Sequence, residues 1–273
     1  MSFELIERNG VKFFRSDILG CPHGFSTRLG GVSELNYTKS LNLAFGRGDG
    51  DEIVLENLDR FANAVGVDPR SVVSRPQIHS SDVEYVCESD RGDGYFSKSG
   101  ISCDGYFTDR PGVTLGVKTA DCVPILLYDP AAEVVGAVHA GWRGTAAGIA
   151  AVCVEKMRSL GARPENIRAA IGAAIHFCCY EVGEDFRNSV ESLAGKDLAE
   201  RFIREWDGRL HADIVGMNVE LLRESGVTEI DVSERCTCCE PELFFSHRAA
   251  ARASGGRRGT MLSVIALPNV TAV

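Results

Sequence analysis

Three short apolar segments between residues 112 and 140 constrain the fold of this chain more than any other part of its sequence. GVTLGVKT and VPILLYDP flank a polar break at residues 119–122, and VVGAVHA follows after a short turn. Continuous apolar runs of this length, bounded by turn residues, are typical of buried strands. Cys122 lies in the break, and His139 lies near the end of the third run. The sequence therefore predicts a buried sheet whose strand ends carry potential ligands.

Helical and strand-like patterns interleave along the rest of the chain without a regular βαβ order. Apolar periodicity predicts helical segments over 51–67, capped by Asp49 or Asp51, over 145–162, and at two places within 196–227. Residues 71–88 resemble a strand pair interrupted at 76–81, and the Gly-, Ser- and Asn-rich residues 25–50 predict a long ordered loop. Because no internal repeat or linker is found, we expect a single mixed α/β domain over residues 1–273.

The composition excludes several classes of partner. The chain has 273 residues, 29 basic and 38 acidic, and a formal net charge of −9, so its surface should repel nucleic acid and anionic membranes. It has no apolar run of the ~18 residues that a membrane span needs, and its N-terminus lacks a secretory signal pattern. We expect a cytoplasmic protein, a monomer or small homo-oligomer. Its ten cysteines would then be reduced, although an oxidising compartment would pair some of them.

Three potential metal ligands fall at breaks between predicted strands: His79, Cys122 and His139. Imidazole and thiolate are good zinc ligands, and catalytic zinc sites use three protein ligands with one open position. The separations of 43 and 17 residues match no local zinc motif, so only folding could bring the three together. On spacing alone, each is equally well explained as a partly buried turn residue.

The segment HAGWRGTAAG places a guanidinium between glycines and ahead of a helical pattern. A helix beginning near Thr145 would add its positive end and free N–H groups, so Arg143 is a candidate phosphate ligand. Arg143 could equally well cap a neighbouring helix or pair with a surface acid. We expect Trp142 to pack in the core rather than to stack on a base.

Two further loops are basic and carry hydroxyl groups. The first, FSTRLGG, supplies the candidate substrate- or phosphate-binding residues Ser26 and Arg28. The second comprises FFSHR and GGRRG and supplies Ser246, Arg248 and Arg257. Loops commonly have such a composition, so neither predicts a site by itself.

The cysteines of CTCC, residues 236–239, contain one C-x-x-C pair. A structural zinc site normally needs a second pair, and the adjacency of Cys178 and Cys179 suits ligation poorly. The prediction for these thiols is therefore packing as small apolar groups rather than a second metal site.

Taken together, these segments resemble the laccase-domain family, also called the YfiH-like or multicopper polyphenol oxidase group. The matching stretches are FSTRLGGVS, SLNLAFGRGD, RPQIHS, the DG of CDGYFT, PGVTLGVKTADCVPILL, HAGWRGTAAGI, IGAAIHFCCYEVG and CT followed by FFSHR. They run in the family's order from about residue 25 to the C-terminus. Ala173 and Ala174 stand where the family has proline and cysteine, and Ser80 where glycine is common. We expect these differences to alter one pocket wall.

The resemblance implies that His79, Cys122 and His139 bind one zinc or copper ion and form the catalytic group. It implies phosphorolysis of adenosine, inosine, guanosine and methylthioadenosine, together with hydrolytic deamination of adenosine. Purine nucleosides and phosphate would be its partners. It also implies an α/β sandwich similar to the catalytic domain of cytotoxic necrotizing factor toxins.

Two other functions compete with this one. A multicopper oxidase needs on the order of ten histidines, several in H-x-H pairs, because copper favours imidazole. This chain has 6 histidines and no H-x-H pair, which argues against a polyphenol oxidase. A cysteine hydrolase with Cys122 as nucleophile and His139 as base, acting in peptidoglycan precursor editing, is the second alternative. A thiolate bound to a metal is a poor free nucleophile, so metal content distinguishes the two.

Overall fold

The structure is a computed structural model that describes residues 3–253 and 255–268. The ends of the predicted 1–273 domain, residues 1–2 and 269–273, lie outside the described residues, as does residue 254. Within the described part, no helix is long and apolar enough to cross a bilayer.

The described residues form fifteen strands and seven α-helices. The strands are β1 (Phe3–Arg8), β2 (Val11–Ser16), β3 (His23–Ser26), β4 (Val72–Val73), β5 (Val83–Tyr85), β6 (Gly105–Thr108), β7 (Thr114–Thr119), β8 (Val123–Asp129), β9 (Val134–Ala140), β10 (Arg168–Ile171), β11 (Glu181–Val182), β12 (Ile203–Trp206), β13 (Arg209–Ala212), β14 (Glu229–Val232) and β15 (Met261–Ala266). The helices are α1 (Asp51–Val65), α2 (Trp142–Ala146), α3 (Ile149–Arg158), α4 (Glu184–Ala194), α5 (Lys196–Phe202), α6 (Ile214–Glu224) and α7 (His247–Ala253).

Two six-stranded mixed sheets lie face to face at the centre of the fold. The first has the order β1-β2-β3-β15-β7-β4 and the second the order β14-β10-β8-β9-β6-β5. Apolar side chains from both sheets, among them Leu115 and Val117 from one and Leu126 and Val135 from the other, form the core between them. The fold is therefore mixed α/β, as the interleaved sequence patterns predict.

Helices cover the outer faces of both sheets. α1 packs its Leu58 and Phe61 against the first sheet, and α3 and α6 pack against the second. Both faces of the central strands are thus buried, which explains why β8 and β9 are continuous apolar runs rather than alternating ones. A small third sheet, β11-β13-β12, packs with α4 and α5 at the edge.

The two helical stretches predicted within 196–227 are confirmed as α5 and α6, and residues 203–212 between them form the β12–β13 hairpin, in which Trp206 pairs with Arg209. Two other sequence predictions are corrected. The helix predicted over 145–162 is two helices, α2 and α3, separated at Gly148, which has a φ of 75°. Asp49 does not cap α1, because its carboxylate accepts hydrogen bonds from Ser33, Thr38 and Asn42 in the 25–50 loop; Asp51 is the first helical residue, and Gly50 is the cap.

Candidate active site

The structure brings His79, Cys122 and His139 together. One potential ligand atom from each lies within 4.8 Å of the others, so the three could hold a metal ion. Cys122 Sγ is 3.9 Å from His79 Nε2. The two imidazole rings are edge to face, with centroids 4.9 Å apart. From sequence spacing alone, these residues are explained equally well as a metal site or as unrelated turn residues. The fold makes them neighbours.

Sheet register explains this meeting. β8 and β9 are antiparallel, with Pro124 opposite His139. Cys122, which directly precedes β8, therefore lies beside His139. His139 follows Val135 and Ala137 at intervals of two, which directs it toward the space between the sheets. β6 pairs with β9 on the other side, with Gly105 opposite Val138, so Asp104 also reaches His139. Three strand ends thus converge on one point.

Asp104 fixes the positions of both histidines. Its Oδ1 accepts hydrogen bonds from His139 Nδ1 at 2.7 Å and from the His79 backbone N–H at 3.0 Å. Its Oδ2 accepts from the backbone N–H groups of Ile78 and Ser80 and from the Ser80 hydroxyl. Although burial raises the pKa of Asp104, these hydrogen bonds, that from His139 foremost, lower it to about 2. His79 has a φ of 60°, a rare conformation that this network holds in place.

The electrostatics of the cluster favour a thiolate. Burial raises the pKa of Cys122, but the neighbouring His139 and then His79 lower it to about 6. Burial lowers the pKa of His139, while Cys122 and Asp104 raise it to about 9. Because Nδ1 of His139 is engaged by Asp104, its Nε2 is left to face the thiol. Such a cluster can bind a soft or borderline metal ion or act as a thiolate–imidazolium pair.

Two cavities adjoin the cluster. The larger, of about 480 Å³, is lined by His79, Cys122 and His139 together with apolar groups such as Phe45 and Ile101. The smaller, of about 410 Å³, is lined by His79 and Cys122 and by residues that include Trp142 and Tyr180. Both volumes are within the range of small-molecule sites. The cluster therefore lies where two cavities meet.

Two basic residues of these cavities were missed by the sequence analysis. Arg258 lines both cavities, and its buried Nε has no hydrogen-bond partner among the described residues. Lys118 lines the larger cavity and donates to the Ser74 carbonyl. Burial, with the nearby charge of Arg47, lowers the pKa of Lys118 to about 8. The motif GGRRG makes Arg257 a candidate, but its guanidinium lies over the Tyr37 ring and it lines neither cavity.

Arg143 lines the smaller cavity, but not in the way that the sequence suggested. Its guanidinium is exposed and lies 4.3 Å from the centre of the Trp142 ring. α2 begins at Trp142 and has only five residues, so the expected helix start at Thr145 does not exist. Trp142 packs against Phe186, with ring centroids 5.0 Å apart, as expected for a core residue, while one part of it faces the cavity.

Of the other candidate residues, only Arg248 lines one of these cavities, and its guanidinium donates to the carbonyls of Cys179 and Glu181. The other three lie outside both linings. The Ser26 hydroxyl accepts from the Leu262 N–H in the first sheet. Arg28 donates to two loop carbonyls, and Ser246 accepts from the Ala249 N–H at the start of α7.

The residues that differ from the family pattern are also located. Ala173 is buried in the core between the sheets, and Ala174 pairs with Cys236 in a β-bridge. Neither lines either cavity. Ser80 does affect the site, because its hydroxyl adds a hydrogen bond to Asp104 that glycine would not provide.

Comparison with known proteins gives consistent matches over nearly the whole chain. Residues 22–268 match the family described as multi-copper polyphenol oxidoreductase laccase. A purine nucleoside phosphorylase of Deinococcus radiodurans is 41% identical over 259 residues, which cover 95% of this chain and 94% of that protein. The purine nucleoside phosphorylase YlmD of Geobacillus stearothermophilus is 37% identical over 251 residues, 90% of each chain. The crystal structure of the Bacillus licheniformis hypothetical protein YfiH has a TM-score of 0.87 at 34% identity, covering 97% of this chain and 98% of that one.

Proposed function

Since this chain belongs to the multi-copper polyphenol oxidoreductase laccase family, we propose that it is a metal-dependent purine nucleoside phosphorylase. Its relatives in Deinococcus radiodurans and Geobacillus stearothermophilus carry that name. The observation that carries the proposal is that two cavities meet at His79 and Cys122, beside His139, and that arginines line both. The proposed enzyme is cytoplasmic and a single domain. We also propose that its α/β sandwich is similar to the catalytic domain of cytotoxic necrotizing factor toxins.

The proposed metal ligands are His79, Cys122 and His139, and the proposed ion is zinc. Two imidazoles and a thiol are a suitable donor set, and three protein ligands leave a position open. The hydrogen bond from His139 Nδ1 to Asp104 is the usual support for a histidine that binds metal through its other nitrogen. When bound, zinc would supply Lewis acidity to the site.

In the proposed phosphorolysis, a phosphate oxygen forms a bond to C1′ of the ribose while the bond from C1′ to the purine nitrogen breaks. The purine leaves with the electron pair and takes up a proton. Arg143 and Arg258 would hold the phosphate, since among the described residues neither forms a salt bridge with an acidic residue. Arg248 would support the same wall through its bonds to the 179–181 backbone. Preorganised cations of this kind stabilise developing negative charge at little reorganisation cost.

The proposed substrates are adenosine, inosine, guanosine and methylthioadenosine. A second proposed reaction is hydrolytic deamination of adenosine, in which water replaces the amino group at C6 and ammonia leaves. Both reactions involve purine nucleosides, and the larger cavity, with Phe45 and Ile101 in its wall, offers apolar surface for a base. Phosphate is needed for the first reaction only.

A copper polyphenol oxidase is not supported by the histidine count. The chain has 6 histidines, fewer than a four-copper array requires. In the described part of the chain, the second group of potential metal ligands contains four cysteines and no histidine.

A cysteine hydrolase is the second candidate, and one observation favours it. Asp104, His139 and Cys122 form a chain of contacts in the order of a Cys-His-Asp triad, and His139 lowers the pKa of the thiol, despite its burial, to about 6. Such a thiolate could attack an acyl carbon of a peptidoglycan precursor. A zinc ion on the same sulfur would remove its nucleophilic function.

The deciding experiment measures metal content and then products. We expect purified protein to contain zinc, to convert adenosine to adenine and ribose 1-phosphate when phosphate is present, and to form inosine and ammonia without it. Protein free of metal that cleaves an acyl substrate and leaves nucleosides unchanged would establish the hydrolase instead. Cys122→Ala is the control for each activity.

A further inference from the structure

A second cluster of thiols lies outside the active site. Cys178 and Cys179 are in the loop after β10, and Cys236 and Cys239 are in the turn after β14. The four sulfur atoms all lie within 4.8 Å of one another. The sequence predicts that these thiols simply pack as small apolar groups, because adjacent cysteines are poor partners in a zinc motif. The fold instead brings both pairs to one point.

The distances between the sulfur atoms suit a tetrahedral ion. With Zn–S bonds of ~2.3 Å, the sulfurs of a tetrahedral site are ~3.8 Å apart. Cys239 Sγ is 3.7 Å from Cys178 Sγ and 3.3 Å from Cys179 Sγ. A disulfide would instead require one pair at ~2.05 Å, with the other sulfurs left out of the bond.

The backbone around the cluster is already arranged by other contacts. Ala174 and Cys236 form a β-bridge, and the Thr237 N–H donates to the Ala174 carbonyl at 2.9 Å. The Cys239 N–H donates to the Cys236 carbonyl, which closes a tight C-x-x-C turn. The His176 N–H donates to Cys236 Sγ at 3.5 Å, a hydrogen bond that stabilises a sulfur carrying negative charge.

We propose that Cys178, Cys179, Cys236 and Cys239 bind one zinc ion as a structural site, separate from the active site. Four thiolate ligands complete the tetrahedral shell and leave no open position for a substrate. The ion joins two segments that are about sixty residues apart in sequence and that meet just beyond the paired strands β10 and β14.

This zinc site would hold one wall of the smaller cavity. Tyr180, next to Cys179, lines that cavity, and so does Arg248, whose guanidinium donates to the Cys179 and Glu181 carbonyls. From the other segment, the Thr237 hydroxyl donates to Asp121, the neighbour of Cys122. Loss of the ion would release both segments and so loosen the wall that carries Arg248.

The test is zinc stoichiometry in the full-length protein purified under reducing conditions. We expect two zinc ions per chain in the unaltered protein, one in Cys239→Ser, and two in Cys238→Ser, whose sulfur lies in the same turn but outside the group of four. Cys122→Ala should also retain one, at the four-cysteine cluster. Loss of a zinc ion in Cys238→Ser, or an unchanged zinc content in Cys239→Ser, would overturn the proposed ligand set.

A second measurement needs no variant and covers the case in which Cys239→Ser fails to fold. Cobalt replacing zinc in the intact protein should show the strong sulfur-to-metal charge-transfer absorption and the visible bands of a tetrathiolate site. These bands should persist in Cys122→Ala, which separates this proposal from the proposed function. Mass analysis of alkylated protein that shows a disulfide among these cysteines, with no tetrathiolate cobalt spectrum, would contradict the proposal.

Discussion

The two cysteine-containing clusters of this chain differ in donor number, donor type and access. His79, Cys122 and His139 supply two nitrogens and one sulfur, lie where two cavities meet, and are supported by a buried carboxylate. The four-cysteine cluster supplies sulfur alone, and none of its members lines either cavity. An incomplete ligand shell beside a cavity suits chemistry, whereas a complete shell between two loop segments suits stability. The number of ligands, rather than the presence of cysteine, distinguishes the two.

Cys122→Ala should break this comparison most strongly. Removing the only sulfur of the three-residue cluster should abolish its metal binding and the nucleoside activity, while the four-cysteine cluster keeps its ion. The fold should persist, because Cys122 precedes β8 and takes no part in its ladder. Zinc analysis and circular dichroism check this expectation. Unchanged zinc content would show that the three residues are not ligands.

Asp104→Asn should sharpen the comparison, because only the three-residue cluster has a carboxylate support. An amide can donate toward His139 Nδ1 and so favours the wrong tautomer. We expect zinc affinity at this cluster to fall ~10–100-fold, as is usual when such a support is removed. Competition with a chelator measures this, and Ser80→Gly, which removes only one of the hydrogen bonds to Asp104, is the control. Equal affinities in all three proteins would mean that Asp104 has no influence on the metal.

Arg143→Lys should lower kcat/KM for phosphorolysis by about tenfold. Lysine keeps the charge but loses the planar pair of donors, and a hydrogen bond to a charged group contributes ~1.5–3 kcal/mol. Deamination needs no phosphate and should change less. Rates for adenosine with and without phosphate measure the two. Equal losses in both reactions would assign Arg143 a structural role over Trp142.

Lys118→Arg should produce the smallest effect, a change in the pH dependence of the KM for phosphate. Lys118 lines the larger cavity together with Arg258, and we expect its cation to add to the attraction for phosphate. Burial and the charge of Arg47 lower its pKa to about 8, so this cation is lost as the pH rises through that value. The KM for phosphate should therefore rise above pH 8. In Lys118→Arg, the guanidinium stays charged, and this rise should disappear. A KM that follows the same pH curve in both proteins would exclude Lys118 as the titrating group.

The sequence predicts the active-site cluster better than its surroundings. Long apolar runs locate β7, β8 and β9, and their breaks locate Cys122 and His139. The β12–β13 hairpin was missed because FIREW and RLHA lie between two helical patterns and carry many charges, with little apolar alternation. Arg258 was passed over for Arg257 because adjacent arginines in a glycine-rich loop cannot be ranked by sequence. The four-cysteine cluster was missed because its two halves are about sixty residues apart in sequence and meet only in the fold, beyond the paired strands β10 and β14.

The register of β8 and β9 has a practical consequence for labelling and immobilising this protein. Their hairpin turn, with exposed Ala131 and Glu133, lies at the opposite end of the two strands from Cys122 and His139. Seven residues of strand separate the two ends, which corresponds to ~24 Å. A fluorophore, an affinity handle or a surface tether inserted at this turn would therefore be remote from the active site, and its attachment would leave both mouths of the joined cavities open.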